Sequence, residues 1–252
     1  MMADSYFFLL ALPRSGSTVT GYVLDSHSRI HVAHEDNARP FVDHPYRSIY
    51  NLDYKIEMGL EDYLDELLEG TAKSTLLNSR YFLPEQVRRI HEMLGAKGRF
   101  LVLRRNYMWR AFQRADGTIA TVPLEKIRSF REARDMVRLK CPFCEFSYHR
   151  LVAEPEAIFT KICRFMGLDF EPQMLDYRRE QHDHMIECGN DKAREFTGIV
   201  DKSDSEKLSV DMIRKAMSER GMSRFQILRM LWEESGSSLL NIRRLARLLW
   251  RI

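Results

Sequence analysis

The sequence predicts an α/β fold of three layers, with a mainly parallel central sheet between helices and further helices at the C-terminus. Two features of the pattern lead there. Short apolar runs alternate with segments of helical period along most of the chain, as they do where helices connect parallel strands. The clearest of those runs are continuously apolar, as strands buried on both faces are. Length and composition agree: 252 residues with 44% hydrophobic content suit one large domain, or a domain with a helical appendage. We expect the α/β domain over residues 1–200 and a helical extension over 201–252, packed on that domain or on a partner.

Taken in order, Tyr6–Leu12 is the first buried strand. Thr18–His27 has helical spacing, with Val19, Tyr22 and Val23 on one side. Ile30–Ala33 is a short second strand, Leu60–Leu68 a helix, and Ser74–Leu77 a short third strand. Pro84 stands where a first helical residue would, followed by Val87, Ile90, His91 and Leu94, with Gly95 and Gly98 as breaks. Arg99–Arg104 is the clearest later strand. Tyr107–Ala115 is then expected as helix, Asp116–Val122 as loop, Leu124–Leu139 as a charged helix and Phe146–Tyr148 as a short strand. Pro155–Phe165 is a helix stopped by Gly167, and Ser209 caps another that runs to Arg220. At the end, Ile242, Leu245, Leu249 and Ile252 share one helical face while Arg243, Arg247 and Arg251 form another row. That basic amphipathic helix suits a subunit contact or an anionic membrane surface.

A net charge of +3 excludes a globally polybasic chain, so local clusters matter more than the total and no nucleic-acid partner is expected. The start, Met-Met-Ala-Asp-Ser, lacks a basic n-region, and the apolar run after it is too short for a signal peptide or a membrane span. The expected location is cytoplasmic, with a membrane-peripheral position open through the terminal helix. Cys141 and Cys144 have the spacing of a redox or zinc pair, but no second ligand pair accompanies them. Together with Cys163 and Cys188 they read as packing residues.

The most informative stretch is Tyr-Phe-Phe-Leu-Leu-Ala-Leu-Pro-Arg-Ser-Gly-Ser-Thr, residues 6–18. A strand, a tight glycine turn and a helix N-terminus make an anion cradle, because backbone N–H groups and the helix dipole both favour negative charge there. Arg14 adds a forked donor set suited to phosphate or sulfate, and Ser15, Ser17 and Thr18 add hydroxyls around Gly16. A Walker A loop would place Lys before the final hydroxyl residue; here Ser17 precedes Thr18 and the cation sits earlier.

Pro-Arg-Ser-Gly-Ser-Thr resembles the 5′-phosphosulfate loop of the sulfotransferases that use 3′-phosphoadenosine 5′-phosphosulfate (PAPS), a family with a P-loop-NTPase-like fold. Several ordered segments extend the resemblance over roughly Tyr6 to Arg194. The strand ending in Arg104-Arg105 resembles the family's 3′-phosphate motif, in which an Arg and a Ser eight positions later grip the phosphate. From Arg105 that position is Gln113, which can donate a hydrogen bond; from Arg104 it is Phe112. The resemblance favours Arg105 with Gln113 and leaves Arg104 as the competitor. Glu35 stands from Arg14 at the spacing of the general base in tyrosylprotein-type sulfotransferases, with His34 the alternative because imidazole titrates near neutrality. The family's Lys after the third strand falls on Ser79, with Arg80 beside it. Tyr148 to Ala157 resembles a Tyr-Glu-Asp-Leu-x-x-x-Pro-Glu segment, and His184 to Arg194 resembles a late loop that touches the 3′-phosphate, which makes Gly189 and Arg194 binding candidates.

The resemblance implies in-line transfer of a sulfuryl group from PAPS to a hydroxyl or amine acceptor, with Glu35 as base, Arg14 stabilising the leaving phosphate, 3′,5′-ADP as product and no metal required. Two rivals stand beside it: a small-molecule kinase with a P-loop-like fold, and a non-catalytic nucleotide-binding module on a sulfotransferase scaffold.

Overall fold

The computed structural model of the protein describes residues 5–13, 15–34, 60–69, 71–80, 82–105, 111–113, 119–121 and 124–177. In chain order the elements are β1 (Tyr6–Ala11), α1 (Ser17–Asp25), β2 (Ile30–His34), α2 (Leu60–Glu66), β3 (Thr75–Arg80), α3 (Pro84–Leu94), β4 (Gly98–Arg104), β5 (Ala111–Gln113), β6 (Ile119–Thr121), α4 (Leu124–Lys140), β7 (Phe143–Ser147), α5 (Tyr148–Ala153) and α6 (Pro155–Met166). The chain divides into two compact units, Met1–Arg105 with Arg128–Val200, and Asn106–Ile127 with Asp201–Ile252.

The first unit carries a five-stranded sheet in the order β2-β3-β1-β4-β7, and every pairing in it is parallel. The α/β expectation holds. All six residues of β1 are buried, which is why its sequence is a continuous apolar run rather than an alternating one. On one face Phe7, Leu9, Leu77, Leu101 and Leu103 pack with Tyr22 and Val23 of α1 and with Ile158, Phe159 and Ile162 of α6. On the other face Phe8 and Phe100 meet Phe82, at ring-centre separations of 5.8 Å for Phe8–Phe82 and 5.4 Å for Phe8–Phe100. There α3 closes over Gly98, where a Cβ would come within 3.3 Å of Ile90 and Leu94. Helices therefore cover both faces, and the sheet is the middle of three layers.

Local chemistry sets the helix ends. Pro84 and Pro155 open α3 and α6, where a missing N–H costs no helical bond. Gly167 ends α6 in a left-handed conformation, φ 76°. Behind α1, the buried Asp25 accepts from the Val32 amide at 3.0 Å and pairs with Lys73 at 3.3 Å, which ties the turn into β2.

Three expectations need correction. Ala111–Gln113 is not helical: it is strand β5, paired antiparallel with β6 in the second unit through Ala111↔Thr121 and Gln113↔Ile119. Local periodicity does not reveal such a pair, but the intervening Asp116-Gly117 dipeptide, with β-branched Ile119 and Thr121 after it, favours a hairpin. Residues 119–121, expected as loop, are its second strand. Tyr148 does not end β7 but begins α5, because the Ser147 hydroxyl caps the helix by accepting from the Arg150 amide at 3.3 Å.

Cys141, Cys144 and Cys163 are buried free thiols. Burial pushes Cys141 up to about 11 and Cys163 up to about 12, and raises Cys144 as well. Below those values the thiolate is scarce, so iodoacetamide at pH 8 should label these residues slowly in the native protein and rapidly after denaturation. Fast native labelling, read by mass spectrometry, would contradict their burial. Among the described residues no helix is long and apolar enough to cross a membrane.

Candidate active site

Because the strands are all parallel, their carboxyl ends lie along one edge of the sheet, where ligands bind in folds of this kind. The turn after β1, His34 at the end of β2, Ser79 near the end of β3, Arg104 at the end of β4 with Arg105 after it, and Tyr148 after β7 all belong to that edge. Register puts them in neighbouring rows: Ala11 lies beside Leu103, Leu9 beside Ser79, His34 beside Ser79 and Arg104 beside Ser147. The sequence-predicted set is thus partly assembled by topology alone. Arg14, Glu35, Gly189 and Arg194 lie outside the described residues, as do Cys188 and the helices expected at Ser209–Arg220 and 239–252.

The β1–α1 turn is built as the sequence implied. Gly16 precedes α1 with φ 98°, a left-handed conformation that glycine reaches without a Cβ penalty. The Thr20 amide and hydroxyl both bond the Gly16 carbonyl, at 3.0 and 2.9 Å, and the Ser15 amide bonds the Leu12 carbonyl at 3.1 Å. Among the described residues no side chain caps α1, and its first turn holds no acidic residue. Ser17 and Thr18 are half-buried there. Ser15 is fully buried, yet its hydroxyl has no hydrogen-bond partner among the described residues. The same is true of the Ser79 hydroxyl, at 1% exposure. A buried polar group without a partner costs about 1–3 kcal/mol, a cost that an anion accepting from Ser15 would remove. Turn, helix end and hydroxyl therefore fit a phosphate or sulfate group.

The two arginines after β4 differ in their engagements. Arg104 pairs with Glu145 of β7, a carboxylate only 12% exposed, and Arg138 of α4 holds the same carboxylate at 2.7 Å. Its charge is thereby committed to a structural network. The Arg105 guanidinium instead lies over the Tyr148 ring, its Cζ 3.7 Å from the ring centre. Gln113, its expected partner, is the last residue of β5 in the second unit. His34 ends β2, and Glu35 follows it in the chain.

Tyr148 is the residue whose part in the site the sequence did not give. It resembled a structural position, yet its ring meets both the Gly16 turn and the Arg105 guanidinium. A Cβ on Gly16 would come within 2.4 Å of its ring carbons Cδ2 and Cε2. The signal that could have pointed to it was Ser147, a capping residue that makes Tyr148 the first residue of a helix at the strand's carboxyl end.

Comparison with known proteins agrees with this architecture. No protein-family model matches the chain, and no curated protein matches it in sequence. The structure is similar to the sulfotransferase domain from the curacin biosynthetic pathway, with a TM-score of 0.53 and 18% identity over 88% of this chain and 99% of that one. It is similar to the sulfotransferase domain from the Synechococcus PCC 7002 olefin synthase as well, with a TM-score of 0.53 and 17% identity over 86% of this chain and 95% of that one. The parallel sheet, the glycine turn after its central strand and these likenesses together give the chain the sulfotransferase fold.

Proposed function

We propose that the protein is a sulfotransferase that moves a sulfuryl group from PAPS to a hydroxyl acceptor. The observation that carries this reading is the β1–α1 turn, where left-handed Gly16, the start of α1 and the buried Ser15 hydroxyl, the last two without a side-chain cap or hydrogen-bond partner among the described residues, offer donors to one small anion. The sulfotransferase fold and the arrangement of Arg105 support it.

In this scheme Arg14, Ser15, Ser17, Thr18 and the Gly16 amide hold the 5′-phosphosulfate end. Arg105 holds the 3′-phosphate, with Gly189 and Arg194 as further contacts. Bound PAPS supplies an electrophilic sulfuryl group and a 3′,5′-ADP leaving group. Glu35 accepts the proton from the acceptor hydroxyl as its oxygen attacks sulfur in line, and His34 is the alternative base. As the bond between sulfur and the phosphate oxygen breaks, Arg14 neutralises the charge that develops on that oxygen.

The test is calorimetric titration with 3′,5′-ADP and with ATP–Mg²⁺, followed by labelled sulfate transfer to an acceptor panel. Tighter binding of 3′,5′-ADP and transfer to an acceptor are expected. Preference for ATP–Mg²⁺ would favour the kinase, and 3′,5′-ADP binding without any transfer would favour the nucleotide-binding module.

The arginines separate in the same assay. Arg105→Ala should weaken 3′,5′-ADP binding roughly 10- to 100-fold, the worth of a charged hydrogen bond, while 5′-AMP binding stays within about twofold. Arg104→Ala should change neither ratio appreciably. The opposite pattern would give the 3′-phosphate to Arg104.

A further inference from the structure

A single ring touches both halves of the candidate site. Tyr148 is 8% exposed and fixed at the start of α5 by the Ser147 cap. It occupies the space that a Cβ on Gly16 would need, 2.4 Å from Cδ2 and Cε2. It also carries the Arg105 guanidinium, with Cζ 3.7 Å from the ring centre. Gly16 belongs to the turn after β1 and Arg105 to the end of β4, neighbouring strands of the sheet. The ring thus meets both the glycine turn and the arginine, the two elements to which the donor reading gives its phosphates.

We infer that Tyr148 is a positioning residue that holds Arg105 at a set distance from the Gly16 turn, and that this gives the site its selectivity for a nucleotide carrying a second phosphate. The inference rests on the donor reading above. A guanidinium over an aromatic face uses its flat side for the ring and keeps an N–H edge suited to phosphate oxygens. A long flexible side chain otherwise loses rotamer freedom when it grips an anion, and a ring that orders it beforehand removes part of that loss. The requirement is the aromatic face rather than the phenol oxygen.

The readout is selectivity, the ratio of the 5′-AMP dissociation constant to that of 3′,5′-ADP, measured by calorimetry on the full chain. Tyr148→Phe should keep the ratio within about twofold. Tyr148→Leu should lower it by roughly 2- to 30-fold, the range of a cation–π contact, chiefly through 3′,5′-ADP. In an Arg105→Ala background Tyr148→Leu should lower it no further. Tyr148→Met replaces the Leu variant should that one fail to fold by circular dichroism. A ring-current shift of the Arg105 side-chain protons, present in the native protein and in Tyr148→Phe but lost in the Leu or Met variant, gives an independent signature. Equal weakening of both nucleotides would make Tyr148 a packing residue and overturn the inference, as would an unchanged ratio in the Leu or Met variant. A native protein that does not distinguish the two nucleotides would instead defeat the donor reading, and the inference with it.

Discussion

Gly16→Ala should lower the melting temperature by roughly 5–15 °C and abolish most affinity for 3′,5′-ADP. Two costs combine. An alanine in the left-handed region is strained by about 1–2 kcal/mol, and Gly16 sits at φ 98°. The new methyl would also stand 2.4 Å from the Tyr148 ring, which is buried and lies under Arg105, so it cannot simply swing aside. Overpacking of that kind typically adds about 1–3 kcal/mol. For a chain of this size each kcal/mol is worth about 2–4 °C. Gly167→Ala is the internal control: it too is left-handed, at φ 76°, but its Cβ would meet nothing within 4 Å, so it should carry the backbone cost alone. Melting followed by circular dichroism, with titration of 3′,5′-ADP, checks both. Equal shifts in the two variants would mean that Tyr148 does not crowd the turn.

Glu35→Gln should leave 3′,5′-ADP affinity unchanged and lower the transfer rate by about 10²- to 10⁴-fold, the usual contribution of a general base. Glutamine keeps the shape and polarity of the side chain but cannot accept the acceptor proton. The motivation is the place of Glu35, next in sequence to the residue that ends β2 at the sheet's carboxyl edge. The matched variant His34→Gln distinguishes the two candidates: whichever substitution spares turnover excludes its residue as the base. Single-turnover measurement with preloaded donor separates this chemical effect from binding.

The strands and helices of the first unit were legible where one residue type had one physical use. A run such as Phe7–Leu10 can only be comfortable with both faces covered, and Pro84, Pro155 and Gly167 mark helix ends by their backbone restrictions. The glycine turn between β1 and α1 was legible for the same reason. The β5–β6 pair was not, since a strand of three residues carries too little periodicity and its stability comes from a partner elsewhere in the chain. The different contacts of Arg104 and Arg105 were not legible either: they are made with Glu145 and Tyr148, roughly forty positions on, which parallel pairing of β4 with β7 brings alongside. Tyr148 escaped because its importance lies in a distance, and a distance between two strand ends is a property of the folded sheet.

The burial of β1 has a further consequence. With β3 and β4 hydrogen-bonded on its two sides and every one of its residues inaccessible, the central strand cannot detach while the sheet survives. Amide exchange along such a strand requires opening of the whole cooperative unit. The anion turn is the direct continuation of that strand, so occupying it draws on the same cooperative unit as global unfolding. Ligand held there is therefore reported by the melting of the entire first unit: at a hundredfold excess over the dissociation constant, binding adds about 2.7 kcal/mol to its stability. A simple thermal-shift screen of nucleotides thus becomes a direct reading of what the turn recognises.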